Sequence, residues 1–249
     1  MPKLTKHNHC ILIPVYNDAD GLSCALSDIK NKTDHNIIVV IDKCAQCEQV
    51  AKRNGCITNV SMEKRGYGNA LIDGVRDAKT RKYDYITVMD IGTCDPLYLT
   101  KEIDCDMIVR NRVPITINIR VALSLLGAAV SSFITLKYIQ DATFGYRTYR
   151  IDSVLPIMDH VQTNGHATNM EILCLAILSG VDIKWMSLPY KQDSKSELKL
   201  ADLKESIQCT KRILKYRLLM LLLTLNYHIS KRVLSHCSSK TIQTLSLLL

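Results

Sequence analysis

The stretch from Cys10 to Asp42, CILIPVYNDADGLSCALSDIKNKTDHNIIVVID, decides the fold. It begins with an apolar run, Cys10 to Tyr16, that predicts a strand, and it ends with a second such run, Asn36 to Asp42. The polar segment between them, Asp18 to Lys30, predicts a helix. Continuous apolar runs are typical of parallel strands that are buried on both faces. The stretch therefore predicts a strand–helix–strand unit of a parallel sheet.

The same alternation continues as far as Asp90. The pattern predicts a helix over 45–54, a short strand over 56–60, a helix over 67–80 opened by Gly66 and Gly68, and a strand over 83–90. Strands and helices that alternate in this way place helices on both faces of a mostly parallel sheet. We therefore predict an α/β fold of the Rossmann-like kind.

The remaining elements are less regular. The sequence predicts one long or two short helices over 114–139, a loop and short strand over 141–150, a helix over 169–179 and a strand over 181–188. It then predicts a helix over 200–225 and a further helix over 227–249. Because no linker-like segment interrupts the chain, we expect one domain over residues 1–198 with a C-terminal amphipathic helical segment over 199–249.

Composition excludes several classes of protein. Of the 249 residues, 47% are hydrophobic and 22% are charged, which excludes wholesale disorder. The sequence contains no run of 18 apolar residues, which would predict a transmembrane helix, and its first ten residues lack the apolar core of a secretory signal. We therefore expect the ten cysteines to be reduced thiols. Cys44 and Cys47 form one CxxC, whereas a structural zinc site needs two more ligands at suitable spacing.

The positive charge lies mainly in the C-terminal segment. Residues 191–249 contain 11 basic and 4 acidic residues and so carry +7 of the net charge of +8. A basic, leucine-rich tail indicates an anionic partner. The tail lacks the interleaved aromatic residues of an RNA-binding motif, which disfavours nucleic acid. An anionic membrane surface is the favoured partner, with packing on the domain or on a second subunit as the alternative.

Polar residues follow three of the predicted strands. Pro14-Val15-Tyr16-Asn17-Asp18 closes the first strand, Asp42 the second and Asp90 the strand over 83–90. Ligands of open α/β sheets bind beyond the carboxyl ends of the strands, so these residues are candidates for a binding site. Asp18 is equally well explained as a helix N-cap.

Six segments resemble, in order, the glycosyltransferases of family 2 with a GT-A fold. They are ILIPVYND, VVID, KRGYGNALIDGVRDA, ITVMDIGTCDP, DATFGYRTYR and NGHATNMEIL. The last two are similar to the polyprenyl-phosphate branch, which includes dolichol-phosphate mannose synthase. The resemblance extends over roughly residues 9–198 and implies an inverting transfer of a sugar from a GDP- or UDP-linked donor to a polyprenyl phosphate.

The resemblance also implies roles for individual residues. Pro14, Tyr16 and Asn17 would line the nucleotide pocket, Asp42 would bind the base, and Arg65, Gly66 and Gly68 would lie near the base and ribose. Asp90 would hold Mg²⁺ or Mn²⁺ on the diphosphate. Asp141, Arg147 and Glu171 would be the catalytic residues at or beneath the reaction centre. Lys191 and Lys195 would contact phosphate.

The chain departs from the family pattern at the acidic motifs. The paired acids after the second strand are replaced by Ile41-Asp42, and the Asp-x-Asp motif by Asp90-Ile91-Gly92. A hard divalent cation needs several oxygen ligands, so one carboxylate predicts weak binding of the metal without nucleotide. Two hypotheses therefore stay open. One is an active glycosyltransferase, and the other is a degenerate domain that acts as a membrane-associated binding or regulatory subunit.

The chemistry of the transfer favours particular residues for the acceptor. A lipid phosphate is already an anion, so it needs cationic docking rather than a general base. Arg110, Arg112, Arg120 and Arg147 are candidates, with exposed surface charge as the alternative for Arg110 and Arg120. We expect a cytoplasmic protein that is peripheral to the cytosolic face of a membrane and that can form a homo-oligomer.

Overall fold

A computed structural model describes residues 8–91, 95–99, 103–114, 119–165, 167–190 and 200–236. The strands are β1 (His9–Tyr16), β2 (Asn36–Asp42), β3 (Ile57–Ser61), β4 (Tyr85–Val88), β5 (Met107–Pro114), β6 (Arg147–Arg150) and β7 (Ile183–Tyr190). The helices are α1 (Ala19–Lys30), α2 (Ala45–Arg53), α3 (Tyr67–Thr80), α4 (Ile119–Thr135), α5 (Ile151–Met158), α6 (Thr168–Leu178) and α7 (Leu200–His236).

Within these residues the strands form one seven-stranded sheet in the order β3-β2-β1-β4-β6-β5-β7. β1 is parallel to both β2 and β4, and β5 is parallel to β7. Only β6 among these strands runs antiparallel to its neighbours. The predicted α/β fold with a mostly parallel sheet is confirmed.

The two faces of the sheet pack against separate apolar layers. Leu12, Val40 and Ile86 face the layer that contains α3, α5 and α6, and their neighbours Ile11 and Val39 face the layer that contains α1 and α2. Successive side chains of a strand point to opposite faces, so a strand between two helical layers must be apolar at every position. This explains the unbroken apolar runs of β1 and β2.

The sequence prediction is wrong at four places. It missed β5, whose arginines interrupt the apolar run, and it missed α5, which contains Pro156. It began the helix over 114–139 too early, because residues up to Pro114 belong to β5. It also divided the C-terminal segment into two helices, whereas α7 is one helix of 37 residues.

Over residues 203–225, whose side chains are described, α7 packs on the domain by one face. Cys209 and Ile213 lie in the main core, beside α4 and α6. Leu203, Ile207 and Leu214 recur at helical spacing and are 43–49% exposed. The described part of the helix therefore has a buried inner face and an apolar outer stripe. No helix in the described part of the chain is both long and apolar enough to span a bilayer.

Replacing Gly74 of α3 by alanine should destabilise the fold by about 1–3 kcal/mol. A Cβ at Gly74 would lie 2.4 Å from Leu12 Cδ1 and 2.9 Å from Val40 Cγ2, so these two buried side chains would have to shift within a packed core. Urea unfolding of Gly74→Ala measures the change. Gly127→Ala in α4 is the matched control, because its Cβ meets open space; it should keep or slightly raise stability. Equal losses in the two variants would contradict this packing.

Candidate functional site

The carboxyl ends of β1 and β2 form the rim on which the candidate site is built. The two strands pair in parallel register up to Tyr16 and Asp42, which lie side by side. The next residues, Asn17 and Lys43, both adopt positive φ, near +50°. Non-glycine residues seldom adopt this left-handed conformation, and such strain clusters at functional sites. The chain therefore turns sharply away from the sheet directly above this rim.

Asp42 is held by the segment that precedes α3. Its Oδ1 accepts from Arg65 Nε at 2.8 Å, and its Oδ2 accepts from the backbone amides of Arg65 at 2.8 Å and Gly66 at 3.2 Å. The carboxylate is buried, with 5% of the side chain exposed. Charge-assisted hydrogen bonds of this kind are strong and directional. Asp42 therefore fixes the course of the 65–66 segment.

The Arg65 guanidinium is engaged on all sides. Besides Asp42 it donates to Asn59 Oδ1 at 2.9 Å, to the carbonyl of Ile41 at 3.1 Å and to Asp73 at 3.3 Å. An arginine has five N–H donors, and here they are used within the protein. Arg65 thus lies near the predicted base pocket as the residue that orients Asp42. Direct contact of either side chain with a base stays a prediction.

Tyr16 and Lys64 lie at the exposed side of the predicted base site. The Tyr16 ring is 53% exposed, and Lys64 Nζ lies 4.4 Å from its centroid. Lys43 is also exposed at the end of β2. A flat aromatic face flanked by ammonium groups suits a ligand with a planar base and a phosphate. Pro14 and Asn17 belong to the same strand end.

Asp90, Tyr67 and Gly145 meet at the centre of the rim. A Cβ placed on Gly145 would lie 2.4 Å from Asp90 Oδ2 and 2.7 Å from Tyr67 Oη. Tyr67 Oη accepts from Asn169 Nδ2 at 3.0 Å. Burial, followed by the negative charge of Asp90, raises the pKa of Tyr67 well above its ordinary value. The Tyr67 side chain therefore remains a neutral hydroxyl beside the Asp90 carboxylate. Because Gly145 has no side chain, both groups can lie close to its backbone.

The donor groups around Asp90 decide whether the rim fits a metal ion. Among the described residues no group of three His, Cys, Asp or Glu side chains is placed to hold a metal ion. Asp95, the next acidic residue along the chain after Asp90, is ion-paired with Lys32 at 3.0 Å and accepts from Leu97 N at 2.9 Å. Gly92 and Cys94 lie outside the described residues. Asp90 therefore fits a divalent cation only if a diphosphate supplies further oxygens.

Asp141 forms a bidentate ion pair with Arg112 of β5. Arg112 Nε lies 2.6 Å from Oδ2 and Nη2 lies 2.9 Å from Oδ1, and the backbone amides of Thr143 and Phe144 also donate to Oδ1. Burial alone would raise the pKa of Asp141, but the hydrogen bonds and the charge of Arg112 outweigh it and hold that pKa below its usual value. The ion pair between Asp141 and Arg112 therefore binds the 141–144 segment to the end of β5.

Arg147 and Glu171 are also engaged below the rim. The Arg147 guanidinium is fully buried and donates to the carbonyls of Ala142, Phe144 and Asn169. Glu171 accepts from Thr163 N at 2.8 Å and from Arg212 Nε at 3.2 Å. The structure therefore places Asp141, Arg147 and Glu171 as supports of the loops that surround the rim. Their roles as catalytic residues stay predictions.

The candidate phosphate-binding residues are not brought together in the described residues. Arg110 is fully buried, donates to Tyr98 O and Thr148 Oγ1, and lies 4.2 Å from the centroid of the Tyr146 ring. Arg112 is paired with Asp141. The side chain of Arg120 and the residues Lys191 and Lys195 lie outside the described part of the structure.

Sequence reasoning missed four residues that the structure places at or next to the rim. They are Lys64, Tyr67, Asn164 and Glu205. Tyr67 lies between Gly66 and Gly68, which were selected, so its position could have been noticed. Asn164 and Glu205 reach the site through contacts with distant parts of the chain. No local pattern identifies such contacts.

Comparisons with known proteins agree with this geometry. A family model for glycosyl transferase family 2 matches residues 10–91, about a third of the chain. No curated protein matches the chain. A crystal structure of glucosyl-3-phosphoglycerate synthase from Mycobacterium tuberculosis, in complex with Mn²⁺, UDP and glucosyl-3-phosphoglycerate, is similar with a TM-score of 0.63 and 15% identity. The match covers 85% of this chain and 80% of that one.

Two further structures give the same result. The same synthase with Mn²⁺, UDP-glucose and glycerol 3-phosphate matches with a TM-score of 0.61 and 15% identity, over 85% of this chain and 80% of that one. A mycobacterial protein matches with a TM-score of 0.65 and 15% identity, over 85% of this chain and 74% of that one. The fold is therefore the Rossmann-like GT-A fold. At this identity the likeness establishes the fold alone.

The Asp141 carboxylate should stabilise the protein at neutral pH and lose this effect in acid. Because its folded-state pKa is below the value near 3.9 of a free Asp, its contribution is complete above about pH 4 and disappears as the pH falls through the folded-state pKa. We expect Asp141→Asn to lower the free energy of unfolding by about 3 kcal/mol at pH 7, because Arg112 loses its partner. Urea unfolding at a series of pH values measures this.

The deficit of Asp141→Asn relative to the parent should shrink below about pH 4. Asp34→Asn, which alters an exposed acid just before the amino-terminal end of β2, is the matched control and should follow the parent throughout. A deficit of constant size between pH 7 and pH 3 would show that the ion pair is not its origin.

Proposed function

We propose that the protein transfers a sugar from a nucleoside-diphosphate sugar to a lipid phosphate at a membrane surface. The observation that carries the proposal is the joining of three features at one sheet edge: the exposed Tyr16 ring with Lys64, the Asp42–Arg65 clamp and the Asp90 carboxylate. The match of residues 10–91 to the family 2 model covers all three. Nucleotide-sugar transfer is the chemistry that this edge supports best.

The donor would lie along the rim from β2 towards β4. The base would stack at Tyr16 and meet the edge of Asp42, and the diphosphate would lie near Asp90. A divalent cation, when bound, would neutralise the departing diphosphate. Asp90 would hold that cation together with the phosphate oxygens, and Tyr67 would supply a hydroxyl beside it.

The acceptor class is supported by apolar surface and positive charge. From Leu218 to Leu225 the leucines of α7 are 49–58% exposed on every side of the helix. Lys204, Lys211 and Lys215 are exposed next to the outer apolar stripe. On α4 and the segment after it, Phe133 and Tyr138 are 78% and 83% exposed. Soluble proteins seldom expose so many large apolar side chains, and a basic apolar helix is typical of membrane interfaces.

A second function is favoured by one specific observation. The described residues offer one carboxylate for a metal, and Asp141 and Arg147 are occupied within the protein. A domain with these properties could bind a nucleotide without turnover, as a regulatory subunit at a membrane. A measurement of turnover distinguishes the two functions, because only the transferase consumes its sugar donor.

Titration with UDP-, GDP- and dTDP-sugars, with and without Mn²⁺, tests the donor site. We expect one nucleotide to raise the melting temperature, and Mn²⁺ to increase the shift, because the metal binds with the diphosphate. With that donor and a polyprenyl phosphate, Asp90→Asn should lower transfer by about 100-fold. Asp34→Asn is the charge-matched control. Binding without any transfer would establish the regulatory alternative, and the absence of binding by all three donors would refute both.

Sedimentation with liposomes tests the membrane surface. The protein should bind anionic vesicles more tightly than neutral ones, and Lys211→Ala with Lys215→Ala should weaken binding by about 1 kcal/mol per residue at low salt. Leu219→Gln with Leu222→Gln should remove the part of the binding that persists at high salt. Truncation of α7 is less informative, since Cys209 and Ile213 belong to the core.

The matched control for the charge change is Lys52→Ala with Arg53→Ala, which alters two exposed basic residues on α2. These substitutions should leave sedimentation unchanged. An equal loss in the α2 variant would show that binding follows net charge alone and not α7.

A further inference from the structure

Residues 162–165 and 167, which precede α6, connect α7 with the nucleotide end of α3. On the α3 side, Asn164 makes three hydrogen bonds. Its Oδ1 accepts from Asn69 N at 2.8 Å, its carbonyl accepts from Gly68 N at 3.4 Å, and its Nδ2 donates to the carbonyl of Arg65. The Asn164 side chain therefore links Arg65, whose amide donates to Asp42, to Asn69 in the first turn of α3.

On its other side the loop is held by α7. Glu205 Oε1 accepts from Asn164 N at 2.8 Å, and its Oε2 lies 3.5 Å from Ala167 N. Two turns further along the same face, Arg212 pairs with Glu171, which accepts from the amide and hydroxyl of Thr163. α7 thus holds the loop at two points, and the loop holds the nucleotide segment.

The contacts along this path are close. A Cβ on Gly66 would lie 2.6 Å from Asn164 Nδ2, a Cβ on Gly68 would lie 2.5 Å from Thr163 O, and a Cβ on Gly165 would lie 2.4 Å from Glu205 Oε2. Closely packed groups transmit a displacement instead of absorbing it. A shift of α7 relative to the sheet can therefore reach the 65–68 segment through the loop.

We propose that Glu205 is a positioning residue for the nucleotide site: through Asn164 it couples the seating of α7 to the shape of the 65–68 segment around Asp42. The proposal rests on the proposed function, since it concerns the affinity for its donor nucleotide. Such coupling is reciprocal. A bound nucleotide therefore strengthens the packing of α7 against the loop, and firm packing of α7 raises the affinity for nucleotide. A surface that binds the outer face of α7 thereby changes the affinity of the donor site for nucleotide.

Calorimetry with the full chain tests the coupling, with UDP or GDP as the probe, whichever the parent binds more tightly. Glu205→Ala should raise the dissociation constant about 10-fold, within the usual range of coupling between sites. Glu205→Gln should raise it less, because its amide oxygen still accepts from Asn164 N. Gln208→Ala, at an exposed position on α7, is the matched control and should bind as the parent does.

Hydrogen exchange supplies a second measurement that needs no substitution. In the parent, nucleotide should slow exchange of the amides of Asn164 and Ala167, and this response should be absent in Glu205→Ala. A merely structural role of Glu205 would lower the melting temperature but leave the dissociation constant and the exchange response of the folded protein unchanged. If Glu205→Ala does not fold, Glu205→Gln and the parent decide the question.

The outcomes separate this inference from the proposed function. A parent that binds no nucleoside diphosphate refutes the proposed function and the coupling together. A parent that binds, with an unchanged dissociation constant in Glu205→Ala and no exchange response in 162–167, overturns the coupling alone. A raised dissociation constant with partial recovery in Glu205→Gln establishes it.

Discussion

The buried ion pair between Asp42 and Arg65 is the interaction on which the candidate site depends. Asp42 ends β2, and Arg65 comes from the loop before α3, so the pair joins two elements that are adjacent in space but not in sequence. Breaking such a pair leaves an uncompensated charge and typically costs about 3–5 kcal/mol. The pair, together with the two amides on Asp42 Oδ2, gives the rim its shape before any ligand arrives.

The same principle recurs around the rim. Asp141 is matched by Arg112, Glu171 by Arg212, and the Arg147 guanidinium by three carbonyls. Buried charges need partners, and here the partners come from other loops and helices. The polar residues of this region are therefore mutually oriented, which is what preorganised binding of a charged ligand requires.

The sequence predicted the parallel half of the fold well. β2 and α3 begin and end at the predicted residues, because an unbroken apolar run and flanking glycines are local signals. The strand-end rule also located Asp42 and Asp90. β5 was missed because Arg110 and Arg112 interrupt its apolar pattern, and their burial depends on Tyr98, Thr148 and Asp141, which lie elsewhere in the chain. The links through Asn164 and Glu205 were missed for the same physical reason.

The length of α7 has a geometric consequence for orientation. At 1.5 Å per residue, the part of the helix beyond Ile213, its last described buried residue, is about 35 Å long. A rigid rod of that length that lies on a planar surface removes one of the three rotational freedoms of the body to which it is fixed, the tilt out of the plane. If this part of α7 lies on a lipid surface, the domain that carries the rim can still rotate only about the helix axis and about the surface normal. A single further contact with the surface, for example by the exposed ring of Phe133, then suffices to prevent rotation about the helix axis. That contact sets the angle at which the site faces the bilayer.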